Sequence, residues 1–245
     1  MGKVYDDFAE EFAKADQLPT WKFVGKLAME QLLQPYMKPG MKFLDMGSAS
    51  GRVEAGVLLP GGVAPENITG VEISPDQVEI AKTRIPGATF LVGDISDPVL
   101  LSEASGSFDV VFSHMVFEHV DDAQFAVVCA NAHRLLKNGG AFVFVVTHPS
   151  KMTNLDGSLV TTWGAFKTSA PWGGELDNWR RSVEDTAAAV KAAGFTVTAT
   201  KELPFPKTSP EGLSPEERII FVQNSDKYRR YPAIRLAVSA IKQLS

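Results

Sequence analysis

The fold is decided by nine residues, FLDMGSASG at positions 43–51. Apolar Phe43 and Leu44 indicate a strand that ends in a loop of small residues, and we expect a helix to follow the loop. Small residues allow a ligand to approach the backbone N–H groups at the start of such a helix. Alone the pattern is a weak signal, because glycine-rich turns also occur where a chain simply makes a tight corner.

Two later segments strengthen the interpretation. The segment GVEIS at 70–74 ends a predicted strand on a carboxylate, Glu72, and in doubly wound folds this position meets the hydroxyl groups of a bound ribose. Asp94 follows the next predicted strand, where it could accept a hydrogen bond from an adenine amine. Ile73 and Ile95 could hold the ring between them. Three segments at the carboxyl ends of successive strands predict one shared ligand crevice.

Short apolar runs alternate with longer amphipathic segments through most of the chain. We predict strands at 43–44, 68–73, 89–92, 109–112, 141–146, 195–200 and 233–240, and helices at 4–15, 20–36, 75–84, 121–136 and 182–193. The fourth of these helices is expected to end at Asn138-Gly139. This alternation predicts a doubly wound α/β fold, a mostly parallel sheet with helices on both faces.

The whole chain, 1–245, is expected to form one domain, since 245 residues without an internal repeat fit one α/β domain better than two. Residues 1–38 are predicted to form an N-terminal helical cap. Residues 150–176 show no clear period, and residues 203–232 include a proline-rich stretch. We predict loops on the substrate side at both places.

Charge and composition exclude several classes of protein. The formal net charge is −5, so we expect no binding of nucleic acid. The one cysteine, Cys129, rules out an internal disulfide or a cysteine-based zinc site. The charged N-terminus lacks the apolar core of a signal peptide, and the apolar runs are far shorter than the roughly 20 residues of a membrane span. These features predict a cytoplasmic protein without a membrane partner.

Together the motifs carry a resemblance to a known family. From Tyr5 to Lys242 the chain resembles the class I S-adenosylmethionine-dependent methyltransferases, and its C-terminal part is similar to members that act on small molecules. The matching motifs are LDMGSASG (44–51), GVEIS (70–74), GDISD (93–97), FDVVFSHMVFEHV (108–120) and RLLKNGGAFVF (134–144). The resemblance implies a Rossmann-like sheet of seven strands with an antiparallel last strand. It also implies S-adenosylmethionine as cofactor and methyl transfer to a small-molecule acceptor, and homodimers are common among such domains.

The resemblance also implies which residues bind the cofactor. Asp45 would lie near its ammonium group, Glu72 would bind the ribose, and Asp94 would hold the adenine. The backbone of Ser113 and His114 would lie near the ammonium and sulfonium groups. The full implied set is Tyr5, Asp45, Gly47, Ala49, Gly51, Glu72, Ile73, Asp94, Ile95, Ser113 and His114.

One position of the glycine-rich loop departs from the family pattern. Ala49 stands where the family usually has glycine, and its methyl group narrows the loop near the amino-acid end of the cofactor. The pattern fits a nicotinamide-dependent oxidoreductase less well, because Gly47 and Gly51 do not complete the dinucleotide fingerprint. A cofactor-binding enzyme of the same fold that catalyses a non-methylating reaction such as cyclisation stays open.

Histidines are the candidates for a general base. Methyl transfer needs a nucleophile aligned about 3 Å from the methyl group in a water-free site, and a base only if the acceptor arrives protonated. We rank His148 first, then His119 and His114, and for each a structural hydrogen bond is the alternative role. Asp121 and Asp122 beside His119 could offer metal ligands, but acids also favour helix N-termini, so we predict no metal.

Overall fold

The computed structural model describes residues 6–8, 10 and 18–244. Within these residues nine strands occur: β1 (Phe43–Met46), β2 (Ile68–Glu72), β3 (Thr89–Val92), β4 (Phe108–His114), β5 (Leu136–Thr147), β6 (Gly164–Ser169), β7 (Glu175–Arg180), β8 (Phe195–Leu203) and β9 (Arg235–Lys242). The five α-helices of the same part are α1 (Lys26–Leu33), α2 (Pro75–Arg84), α3 (Asp122–Leu135), α4 (Val183–Ala192) and α5 (Pro215–Arg229).

Seven strands form one sheet in the order β3-β2-β1-β4-β5-β9-β8. Strands β1 to β5 pair in parallel, and β9 is antiparallel to both of its neighbours, β5 and β8. The sheet confirms the doubly wound fold with an antiparallel last strand. The strand order reverses between β1 and β4, which places the expected ligand crevice outside the carboxyl ends of these two strands.

Local capping signals set the helix bounds. Ser74 accepts a hydrogen bond from the backbone N of Gln77, and Pro75 occupies the first turn of α2. Asp121 and Gln124 form a capping box at the start of α3. Before α1, a π-helical segment (Trp21–Gly25) extends the same helical stretch towards the N-terminus. Helix 20–36 and helix 75–84 are therefore confirmed, whereas most of helix 4–15 lies outside the described residues.

Apolar side chains cover both faces of the sheet. One face buries an aromatic cluster against α3 and α4, formed by Phe117, Phe125, Phe142, Phe144 and Phe195. The opposite face packs against the N-terminal helical stretch 18–36 and against a second π-helical segment, Glu54–Leu58. Continuous burial of β1 and of most of β5 explains their unbroken apolar sequences.

The predicted bounds of α3, 121–136, are right to within one residue, but the predicted cap at Asn138-Gly139 is wrong. The helix ends at Leu135, and Asn138-Gly139 lies inside β5. The pairing of β4 with β5 shifts there, from Phe108 opposite Leu136 to Val110 opposite Ala141. The left-handed glycine, with φ of 78°, therefore serves an irregular strand and not a helix cap.

The loop prediction for residues 150–176 is also wrong. Strands β6 and β7 form an antiparallel hairpin there, with Gly164 opposite Arg180 and Ser169 opposite Glu175. Its strands are short and carry many polar residues, so the two-residue period is hard to see in the sequence. The guanidinium of Arg180 stacks 3.9 Å from the ring centroid of Trp163, which braces the base of the hairpin.

Residues 203–232 are not one loop either. Helix α5 occupies 15 of them and begins with a capping box between Ser214 and Glu217, with Pro215 in the first turn. The prolines of the segment made this helix hard to predict from the sequence, although one of them, Pro215, lies in its first turn. Within the described residues, no helix has the length and apolar character that crossing a bilayer requires.

Candidate active site

The glycine-rich loop after β1 is held by backbone hydrogen bonds from the next strand. The N–H groups of Gly47 and Ser48 both donate to the carbonyl of Val71, at 2.8 and 3.1 Å. Gly47 has φ of 90°, and a Cβ there would lie 2.4 Å from a methyl group of Val116. Only glycine fits this position without moving Val116.

Ala49 adopts a left-handed conformation with φ of 46°. An L-residue in this region costs about 1–2 kcal/mol, which explains why the family usually has glycine here. The departure noted in the sequence is therefore a strained residue within an otherwise regular loop. Its N–H is used, because it donates to Oε2 of Glu72 at 3.0 Å.

Ala49→Gly is expected to raise the free energy of unfolding by about 0.5–1 kcal/mol, because relief of the left-handed strain exceeds the added flexibility of the unfolded chain. Urea denaturation measures the change. Ala64→Gly is the matched control: its φ of −71° carries no such strain, so the same substitution should destabilise the protein. Equal losses in both variants would contradict the assignment of strain to Ala49.

Two acids are buried directly behind the loop. Asp45 on β1 and Glu54 are 1% and 0% exposed. Burial raises the pKa of Asp45 well above its usual range and that of Glu54 to about 7, and the proximity of the two carboxyls raises that of Asp45 further. Oδ1 of Asp45 and both oxygens of Glu54 have no hydrogen-bond partner among the described residues. A buried acid pair whose carboxyl oxygens lack hydrogen-bond donors fits the ammonium group of the implied cofactor, although the charge of Arg84 acts weakly on Glu54.

Glu72 lies at the end of β2 and connects the glycine-rich loop to Ser74, at the rim of the expected ligand crevice, by hydrogen bonds. Its Oε1 accepts from the backbone N of Ser74 at 3.0 Å, in addition to the bond from Ala49. Burial raises its pKa. The Ser74 hydroxyl donates to Asp6, so the N-terminal segment reaches this rim. Tyr5 itself lies outside the described residues.

The residues expected at the adenine end differ in their exposure and contacts. Asp94 accepts from the backbone N and the hydroxyl of Ser96, at 2.8 and 2.7 Å. Ile73 is 39% exposed at the rim, whereas Ile95 is 7% exposed and packs in the core. Ile73 can therefore pack against an adenine ring. The side chain of Ile95 instead packs in the core beneath the site.

The end of β4 brings Ser113 and His114 to the same edge. The Ser113 hydroxyl donates to the carbonyl of Met46 at 2.6 Å. The ring of His114 meets Trp21 edge to face at 4.8 Å. Burial, with the nearby charges of Arg52 and Arg235, lowers the pKa of His114 well below its usual range. Its Nε2 is buried without a hydrogen-bond partner in the described part of the chain. His114 is therefore a neutral imidazole beside the crevice.

The other two candidate bases have structural partners. Nδ1 of His148 lies 2.7 Å from the hydroxyl of Ser150, and its Nε2 lies 3.0 Å from Oε2 of Glu202 on β8. Burial lowers its pKa, partly offset by Glu202. Nδ1 of His119 lies 3.3 Å from the carbonyl of Asp177 on the hairpin. Asp45, Glu72, Ser113 and His114 come together at one edge, and His148 faces β8.

The acids beside His119 also have structural roles. Asp121 is the N-cap of α3, and Asp122 pairs with Arg181 at 2.7 Å. In the described ranges no group of three or more His, Cys, Asp or Glu side chains is arranged to hold a metal ion.

Comparisons with known proteins agree with this geometry. Residues 44–144 match the family model of a methyltransferase domain. An uncharacterized methyltransferase of Synechocystis sp. is 28% identical over 76% of this chain and 82% of its own length. An arsenite methyltransferase of Mus musculus is 33% identical, over 46% of this chain and 32% of that protein. The chain thus spans only about a third of some curated relatives.

The solved structures agree in fold. An S-adenosylmethionine-dependent methyltransferase of Mesorhizobium loti superposes with a TM-score of 0.61, at 19% identity, covering 92% of this chain and 99% of that one. Residues 44–144 therefore belong to a methyltransferase domain family, and the fold is that of the class I S-adenosylmethionine-dependent methyltransferases. S-adenosylmethionine is accordingly its cofactor.

Proposed function

We propose that this methyltransferase acts on a small-molecule acceptor, held between the N-terminal helical stretch, the β6–β7 hairpin and α5. The observation that carries the proposal is the enclosed edge at the ends of β4 and β5, where His114, Glu118 and Arg235 are largely buried. A polymer would need an open groove and, for nucleic acid, a basic surface, which a net charge of −5 does not favour.

The residues of the chain have three tasks: they bind the cofactor, orient the acceptor and exclude water. The cofactor supplies an activated methyl group on a sulfonium, so the protein needs mainly to align the acceptor about 3 Å from it. The buried acids Asp45 and Glu54 would receive its ammonium, and Glu72 would bind the ribose. Trp21 and the aromatic side chains near α5 would shield the reacting atoms from water.

The proposal is tested by incubating the protein with S-adenosylmethionine and a panel of small-molecule phenols, amines and acids, and measuring S-adenosylhomocysteine. Parallel calorimetric titrations with S-adenosylmethionine, S-adenosylhomocysteine and NAD check the cofactor. Methylation of a small molecule supports the proposal. Cofactor binding with conversion of a substrate but without S-adenosylhomocysteine would favour the non-methylating alternative. Methyl transfer only to RNA or protein would overturn the proposal of a small-molecule acceptor.

His114 is the candidate base that the geometry favours, because its Nε2 lies at the cofactor edge without a hydrogen-bond partner among the described residues and its lowered pKa keeps it neutral. With a protonated acceptor, His114→Asn is expected to lower kcat by about 10- to 100-fold. It should also remove the acid limb of the pH–rate profile, which in the wild type lies well below pH 6.5. Steady-state kinetics across pH 5–9 measures both effects.

Two parallel variants make the assignment of the base specific. His133→Asn, on the far side of α3 against Phe195, is the control and should leave the profile unchanged. If His148→Asn removes the acid limb while His114→Asn retains it, the role belongs to His148, as ranked from the sequence. A cytoplasmic location and a homodimeric state stay predictions, which cell fractionation and light scattering would test.

A further inference from the structure

A cluster of buried cations lies beside the proposed acceptor position. Arg235 begins β9, opposite Thr147 of β5 and Leu203 of β8, so it stands at the same sheet edge as His114. It is 4% exposed. Its Nη1 donates only to the carbonyl of the preceding Ile234, at 2.9 Å, and its Nε has no hydrogen-bond partner among the described residues. A buried guanidinium that lacks a paired carboxylate is costly to hold in a fold.

A second cation lies near Arg235, because both side chains approach Tyr228. The ammonium of Lys151 lies 5.8 Å from the ring centroid of Tyr228, and that of Lys227 lies 5.4 Å from the same ring. Burial lowers the pKa of Lys151 to about 7, and the positive charge of Arg235 contributes. Burial likewise lowers the pKa of Arg235, to about 10. Both groups are thus held where their charge is poorly compensated.

The nearby acid offsets only part of the charge of this cluster. Glu118 is 5% exposed, and its Oε1 already accepts from the backbone N and the hydroxyl of Thr147, at 3.2 and 2.9 Å. It forms no ion pair with Arg235 or Lys151 within the part of the chain that the structure describes. One carboxylate faces two buried cations, so the position carries an excess of positive charge in a protein whose net charge is −5.

We propose that Arg235 and Lys151 form an anion subsite that binds a carboxylate or phosphate group of the methyl acceptor. The inference rests on the proposed function and adds the charge of the substrate to it. Arg235 offers a planar fork of donors that suits either anion, and Lys151 adds a compact point charge. An acceptor anchored here by its anionic group would extend towards the end of β4 and His114, where the methyl group is expected.

The test uses three aromatic probes that differ in one group: benzoate, phenyl phosphate and neutral benzamide. Each is titrated calorimetrically into the full chain saturated with S-adenosylhomocysteine. We expect at least one anion to bind at least tenfold more tightly than benzamide, and the preferred anion identifies the group. Arg235→Met, which keeps length without charge, should reduce the preference to less than threefold. Arg218→Met, at an exposed position of α5, is the matched control and should leave it intact.

Several outcomes would overturn the anion subsite. One is equal affinity for all three probes, or binding of none of them, while S-adenosylhomocysteine still binds. Another is a loss of S-adenosylhomocysteine affinity in Arg235→Met, which would assign the arginine to the cofactor. Lys151→Met serves as a second variant if Arg235→Met does not fold, as judged by circular dichroism. Failure of the wild type to bind S-adenosylhomocysteine would instead contradict the methyltransferase function itself.

Discussion

Phe117→Ala is expected to lower the free energy of unfolding by about 3–5 kcal/mol, as is typical when a buried phenylalanine is truncated. Phe117 is 1% exposed, and its ring centroid lies 5.0 Å from that of Phe144 and 5.4 Å from that of Phe125. The substitution removes buried area and leaves a cavity in a core whose aromatic neighbours pack against one another from three elements. These neighbours cannot collapse into the space without moving β5 or α3.

Thermal unfolding followed by circular dichroism measures this loss. For a chain of 245 residues the midpoint should fall by about 10 °C. Val222→Ala on α5 is the control, because Val222 is 69% exposed and its truncation should change stability by less than about 0.5 kcal/mol. A loss of less than about 1 kcal/mol in Phe117→Ala would show that the cluster is not close-packed around this ring.

The same residue connects the core to the site. Phe117 begins the short 3₁₀ turn Phe117–His119, which also carries Glu118. Because the ring is anchored between α3 and β5, the turn holds Glu118 against Thr147 and places His119 next to the hairpin. The sequence motif FDVVFSHMVFEHV therefore contains both a core anchor and residues of the site edge.

The elements that could be predicted from the sequence have strong local signals. Helix α2 has its N-cap Ser74 and its first-turn Pro75 adjacent in the chain, so its bounds were predicted residue for residue. Strands β2 and β3 are apolar runs between clear breakers. The hairpin gave no such signal, because its strands expose alternate polar side chains and are joined through residues that resemble a loop.

The residues of the site also fall into those that the sequence predicts and those that only the fold brings together. Asp45, Glu72 and His114 belong to motifs at strand ends, so their shared edge follows from the topology of a parallel sheet. Arg235 and Lys151 gave no signal in the sequence. They come together only through the antiparallel insertion of β9 between β5 and β8, which pairs residues almost 90 positions apart, such as Thr147 and Arg235. Glu54 resembles a solvated acid on a helix, and only the fold places it behind Asp45.

Glu54→Gln is expected to remove a large part of the pH dependence of stability between pH 4.5 and 7, and Asp45, whose pKa is also raised, contributes the remainder. In the unfolded chain Glu54 ionises near its ordinary pKa of 4.5, whereas burial in the folded chain raises that pKa to about 7. Between these values the folded state binds more protons than the unfolded state, so the free energy of unfolding falls as the pH rises. The stabilisation is complete below pH 4.5 and is lost as the pH approaches 7, in total about 3 kcal/mol.

Urea denaturation at pH 5, 6, 7 and 8 measures this dependence for the wild type and the variant. Glutamine keeps the shape of the side chain but cannot ionise, so Glu54→Gln should be more stable than the wild type at pH 8. Glu66→Gln, at an exposed position, is the matched control and should follow the wild type. A wild type whose stability is flat or rises over this interval would show that the buried pair is already compensated by a cation.

The cofactor should act on this same equilibrium. If the ammonium group of S-adenosylhomocysteine docks against Asp45 and Glu54, its charge favours the ionised pair and lowers the pKa of both carboxyls. Saturation with S-adenosylhomocysteine should then flatten the pH dependence of stability, as the glutamine variant does, and its affinity should rise from pH 5 to pH 7. Titrations in buffers of different ionisation enthalpy should also reveal a released proton. Affinity that is independent of pH in the wild type would mean that the ammonium binds elsewhere, and the acid pair would then be a purely structural feature behind the loop.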